Sequence, residues 1–189
     1  MRRLSFRPAL TFRGRERRGL SGFAGKPFHP PLTDIPIAAY VFAFVFDLVA
    51  FIGSDQTWSR DFYRAATFVL IGGGAVSVLT ALTGFIDWLG TEKGSQVRRT
   101  SSAHGWTMVT VTLIVLSNIA LRWFSEWDAT SPPGYLLGLS AAAALLVAIG
   151  SMLGGTLVFD YGFSVETSTD HPVWHPSETD YLPEHRKPA

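Results

Sequence analysis

The stretch "HGWTMVTVTLIVLSNIALRWF", residues 104–124, decides the fold. Between His104 and Arg122 it carries no charged side chain. About 20 apolar residues in helical form cross the roughly 30 Å hydrocarbon layer of a bilayer. A helix of this length in a soluble domain would show a polar face, and this one shows none. Working outward, "YLLGLSAAAALLVAIGSMLGGTLVF" (135–159) has no charge at all, "AATFVLIGGGAVSVLTALTGFIDWL" (65–89) is clean up to Asp87, and "IPIAAYVFAFVFDLVAFIG" (35–53) contains only Asp47. A chain of 189 residues that is 47% hydrophobic could by those totals be an ordinary soluble domain; the clustering of its apolar residues excludes that. The expected fold is all-α, an integral membrane four-helix bundle with spans at about 35–53, 65–89, 103–124 and 135–159.

Charge placement gives the expected orientation. Eight of the sixteen Lys and Arg precede residue 27, three more (Lys93, Arg98, Arg99) lie between spans two and three, and Arg186 and Lys187 lie in the C-terminal tail. Only Arg60, Arg64 and Arg122 fall on the opposite side, so the positive-inside rule puts both termini in the cytoplasm. Trp88 and Trp106 then mark the inner interface, and Trp58, Trp123 and Trp127 the outer one. The chain divides into a basic cytoplasmic arm (1–26), a transmembrane domain (27–161) and an acidic, Pro-rich cytoplasmic tail (162–189). Arg2 and Arg3 are followed by further arginines and not by a short apolar region, so the arm is expected to stay uncleaved and to lie against anionic lipid headgroups. The expected location is a bacterial inner membrane, crossed several times.

The absence of cysteine excludes disulfides, thiolate zinc, iron–sulfur clusters held by this chain alone, and covalent c-type haem. No phosphate loop, serine elbow or H-E-x-x-H pattern is present. Histidine and carboxylate remain, and a repeat organises them. His29 and His104 open the first and third spans 75 positions apart (104 − 29); "FIDW" at Asp87 and "VFDY" at Asp160 close the second and fourth, 73 apart (160 − 87). Two hairpins running the same way would be related by a two-fold axis along the membrane normal, bringing His29, Asp87, His104 and Asp160 to one depth.

The motifs "GKPFHPPLTDIPI" (25–37), "LTALTGFIDWL" (79–89) with "TEKGSQVRRTSSAHG" (91–105), and "GGTLVFDYGFSV" (154–165) resemble the bacterial membrane family catalogued as domain of unknown function 2231, across about residues 23–165. The resemblance implies a four-helix membrane protein. It also implies an association with respiratory electron transfer, because some members are fused to a Rieske iron–sulfur domain. This chain has no such extension, so any cluster must belong to a partner.

Two neutral imidazoles from different helices can ligate a b-type haem. The same face, with Asp87, Trp88, Trp106 and Asp160, could seat a quinone headgroup, and purely structural hydrogen bonding is the third reading. No catalytic residue and no metal-ion site of its own is expected. Thr33 or Asp34 is expected to cap the first helix, with Pro27, Pro30 and Pro31 holding the approach extended. Asp47, deep in its span, should pair with Arg64 or Arg122, the other reading being a proton relay. The glycines of "GGGAVSVLTALTG" and the pair Gly150 and Gly154 read as packing surfaces. His171 and His175 have metal-ligand spacing in a segment too rich in proline for a helix. The expected function is a membrane anchor subunit of a quinone-linked respiratory complex, of the succinate dehydrogenase type. Its partners would be lipid, cytoplasmic iron–sulfur or flavoprotein subunits and other membrane subunits, with no nucleic acid. The alternative is a stand-alone structural or small-molecule-carrying membrane protein.

Overall fold

The computed structural model describes residues 22–23 and 26–163; most of the basic arm, and the tail with His171 and His175, lie outside the described residues. A two-residue antiparallel ladder, β1 (Gly22–Phe23) with β2 (Lys26–Pro27), leads into four helices: α1 (His29–Ile52), α2 (Ser59–Leu89), α3 (Gln96–Phe124) and α4 (Gly134–Phe159). All four are long and apolar enough to cross a membrane. Short connections (53–58, 90–95 and 125–133) force consecutive helices antiparallel. The helices form a ring in which α1 lies against α2 and α4, and α3 against α2 and α4.

Helix α1 begins earlier than expected. Pro30 and Pro31 lie in its first turn, where backbone N–H groups have no intrahelical partner and a proline forfeits nothing. The N-cap is Phe28, with no side-chain cap, so the capping role expected of Thr33 or Asp34 is not what these residues do. Both lie inside the helix; Thr33 Oγ1 donates to Pro30 O at 2.7 Å, and Asp34 is exposed. Pro36 lacks the N–H that would bond Leu32 O four residues back. Thr80 Oγ1 on α2 lies 3.3 Å from that oxygen and 2.9 Å from Val76 O on its own helix, so its one hydroxyl proton is shared between the two carbonyls. A carbonyl freed in an apolar medium needs a donor, and this hydroxyl on the neighbouring helix is within reach. Helix α3 also starts before its apolar run, at Ser95, whose Oγ accepts from Arg98 N at 3.0 Å as an N-cap.

The core is narrow. Tyr40, Ala43, Ala66, Leu70, Val111, Val115, Ala143 and Val147 form one buried cluster, and Ala50, Tyr63 and Leu136 a smaller one. Gly73 and Gly74 let helices approach closely: a methyl group on Gly73 would lie 2.6 Å from Ala39 Cβ, and one on Gly74 would lie 3.1 Å from Ile119 Cδ1. Only 22–33% of the most apolar window of each helix is buried inside the bundle, so most of the hydrophobic surface points outward, toward lipid.

The buried positions repeat from one hairpin to the other. Pro36, Tyr40, Ala43 and Asp47 on α1 correspond at a separation of 75 to Val111, Val115, Asn118 and Arg122 on α3, all buried. On α2, buried Ala66, Leu70, Gly73, Ser77, Thr80 and Asp87 correspond at a separation of 70 to Leu136, Ser140, Ala143, Val147, Gly150 and Leu157 on α4, also all buried. The register of 73 read from the two aspartates is therefore one helical turn out. The structural counterpart of Asp87 is Leu157, and Asp160 is exposed at the end of α4.

Candidate functional site

His29 and His104 meet at one end of the bundle. Their ring centroids are 6.2 Å apart and their planes nearly perpendicular, at 88°. Each imidazole is tied to the second helix of its own hairpin. His29 Nδ1 donates to Thr80 O at 3.0 Å, and His104 Nδ1 donates to Gly150 O at 2.8 Å. A carbonyl can only accept, so both rings carry their proton on Nδ1 when neutral, and each Nε2 keeps its lone pair. Among the described residues neither Nε2 has a hydrogen-bond partner.

Four residues after each of these carbonyls comes a glycine. A methyl group on Gly84 would come within 2.7 Å of His29 Cε1, and one on Gly154 within 3.3 Å of His104 Cε1. The two histidines thus sit on the same scaffold twice over, a ring laid on a glycine and fastened to the carbonyl one turn earlier. Residues related by the repeat that also touch must lie on its axis, so the imidazole pair marks the two-fold axis of the bundle.

The surroundings of the two rings differ. Asp87 lies within electrostatic reach of His29, and its counterpart on the second hairpin is Leu157. Thr80, whose carbonyl holds His29, corresponds to Gly150, whose carbonyl holds His104; Ser77, one turn before Thr80 and 2.5 Å from Tyr40 Oη, corresponds to Val147. The flank on the first hairpin is the more polar.

Of the residues singled out from the sequence, the structure brings His29, His104 and Asp87 together at this end. Trp88 is close by: its Nε1 donates to Ser102 Oγ at 3.0 Å, and the Arg98 guanidinium stacks 3.3 Å above its ring while donating to Trp88 O at 2.6 Å. Trp106, 73% exposed, and Asp160 face outward, away from the imidazoles. Thr80, Gly84, Gly150 and Gly154 were not expected at the site. The signal for them was present, a T-x-x-x-G at 80–84 and a G-x-x-x-G at 150–154, 70 positions apart.

At the opposite end lies a second buried polar group. Arg122 Nη2 donates to Asp47 Oδ2 at 2.5 Å, and both side chains are fully buried. This selects Arg122 from the two expected partners; Arg64 is exposed, 6.0 Å from the ring of Trp127. The remaining donors of the guanidinium are also used, Nε to Asn118 Oδ1 at 2.8 Å and Nη1 to Thr67 Oγ1 at 2.9 Å, and Tyr63 lies under it at 4.7 Å. Ser140 Oγ donates to Asp47 Oδ2 at 2.5 Å and accepts from Asn118 Nδ2 at 3.0 Å. All four helices contribute. Asp47 and Arg122 are 75 positions apart, so this pair too is made of equivalent positions meeting on the axis.

Two duplicated hairpins, joined on their common axis by an imidazole pair at one end and an ion pair at the other, define a four-helix multi-pass membrane protein. The chain belongs to the family of predicted membrane proteins DUF2231, whose model matches residues 25–167 and so covers all four helices. Comparison with curated proteins and with solved structures gives no match.

Proposed function

We propose that this protein is a membrane anchor subunit of a quinone-linked respiratory electron-transfer complex, in which His29 and His104 would hold a b-type haem. The observation that carries the reading is the fixed tautomer of both rings. Each Nδ1 is committed to a main-chain carbonyl, which raises the basicity of the opposite nitrogen and orients it, the arrangement seen around metal-bound histidines. The two rings, from different hairpins, have their centroids 6.2 Å apart, near enough that a single haem could draw a nitrogen from each.

The donor set also fits haem better than a bare ion. Among the described residues no group of three or more His, Cys, Asp or Glu converges, whereas haem brings four nitrogens of its own and asks the protein for two. Bound there, haem would supply one-electron redox chemistry. A quinone headgroup fits less well, because its carbonyl oxygens accept hydrogen bonds and both free Nε2 atoms are acceptors as well. Exposed Glu92 and Lys93 in the 90–95 connection and Arg99 in the first turn of α3 border this end and offer charged groups for docking of iron–sulfur or flavoprotein subunits.

The purified protein is expected to show a Soret band and a pyridine haemochrome of b type, near one haem per chain. His29→Ala and His104→Ala should each lose it while the protein stays in the membrane. Absorbance retained in both variants would overturn the assignment of the two histidines; no band in wild type together with no co-purifying redox subunit would instead support the stand-alone reading. Orientation is tested separately: a cysteine replacing exposed Glu92 should be labelled by an impermeant maleimide only after the cytoplasmic side of an inner bacterial membrane is opened. Labelling in intact cells would reverse the topology.

A further inference from the structure

We infer that the two hairpins are separate interaction modules that recognise each other by opposite charge, so that the partner this seam fits is a hairpin carrying the complementary charge at the 47/122 position. Asp47 and Arg122 are equivalent under the repeat and meet on its axis. At the other axial contact both hairpins present the same residue, histidine, so that contact cannot tell one hairpin from the other. Their buried residues differ in polarity, Ser77, Thr80 and Asp87 against Val147, Gly150 and Leu157, but among the described residues no other buried pair of equivalent positions sets unlike charges against each other. The 47/122 position does. Two copies of the first hairpin would place Asp47 against Asp47, and two of the second Arg122 against Arg122.

Like charges inside a membrane are costly, and two arginines cannot escape by losing a proton, as two aspartates sharing one could. Each of the two contacts that make the seam, α1 on α4 and α2 on α3, is smaller than the contact within either hairpin. The seam is thus split between two narrow contacts, and its choice of partner rests on a few groups. Specificity of this kind comes from making the wrong pairing unfavourable as much as from making the right one favourable.

The test uses full-length chains with a Gly/Ser insertion in the 90–95 connection, long enough to let hairpins exchange. One chain carries Asp47→Arg, so both its hairpins are positive on the axis; the other carries Arg122→Asp, so both are negative. Expressed alone, the Asp47→Arg chain is expected to lose most of its monodisperse, detergent-stable fraction. Co-expressed under different tags, the two should co-purify as a 1:1 dimer with that fraction recovered. The first hairpin of the Arg122→Asp chain and the second of the Asp47→Arg chain together rebuild the wild-type seam, including the contacts to Asn118, Ser140 and Thr67. An Asp47→Arg chain as well behaved as wild type would overturn the inference. So would failure of the two chains to recover each other, which would leave the ion pair a stability element alone.

Discussion

Arg122→Gln is expected to lower stability by about 3–5 kcal/mol, the range for removing one partner of a buried ion pair. The guanidinium is the hub of the arginine end: it holds Asp47 on α1, Thr67 and the backbone of Tyr63 on α2, and Asn118 on its own helix. Glutamine cannot reach all of these and carries no charge. Asp47 would keep only Ser140, and its Oδ1 already lacks a hydrogen bond. Asp47→Asn, nearly isosteric, should cost less. Thermal unfolding in detergent measures both. Haem content should be unaffected in either variant that remains folded, because Asp47 stands 18 residues from His29, roughly 27 Å along the helix. Unchanged unfolding in Arg122→Gln would mean that the bundle does not depend on the pair.

The two glycines under the imidazoles should respond unequally to the same substitution. Gly84→Ala puts a methyl group 2.7 Å from His29 Cε1, closer than packed carbon atoms tolerate, and the ring cannot slide away without breaking its bond to Thr80 O. Overpacking of this kind costs about 1–3 kcal/mol. It should also displace His29 enough to remove most of the bound haem. Gly154→Ala puts its methyl group 3.3 Å from His104 Cε1, a contact that a shift of a few tenths of an ångström accommodates, and should be close to wild type in both respects. Haem occupancy and melting temperature, measured side by side, separate the cases. Equal losses in the two variants would show that the rings are not held where the structure has them.

The spans were legible because a bilayer demands long uninterrupted apolar runs, and nothing else in a chain of this size looks like them. Helix starts were less so. The proline run before the first span reads as extended chain, yet the first turn of a helix tolerates it; the polar first turns of α3 lie beyond the apolar signal altogether. Of the candidate site, the two histidines could be found from their residue type and place. Thr80 was harder to see, because it acts through its main-chain oxygen and only the T-x-x-x-G spacing, 70 positions before a G-x-x-x-G, points to it. The aspartates misled for a definable reason. "FIDW" and "VFDY" look alike, but one aspartate is buried inside a helix and the other ends one, and it is the pattern of burial, with the contacts of the histidines, that reveals the register of 70.

A site astride a two-fold axis has a consequence for whatever it holds. A plate-like guest gripped by two equivalent imidazoles meets the same grip when it is turned over, so a guest with unlike edges would enter as two rotational isomers. Any preference between them must come from the surroundings and not from the ligating pair. Ser77, Thr80 and Asp87 on one flank, against Val147, Gly150 and Leu157 on the other, would give this protein a means of choosing, with the guest's hydrophilic rim turned to the first hairpin and its greasy rim to the second. Removing that contrast, and leaving both histidines in place, would turn one bound orientation into a mixture.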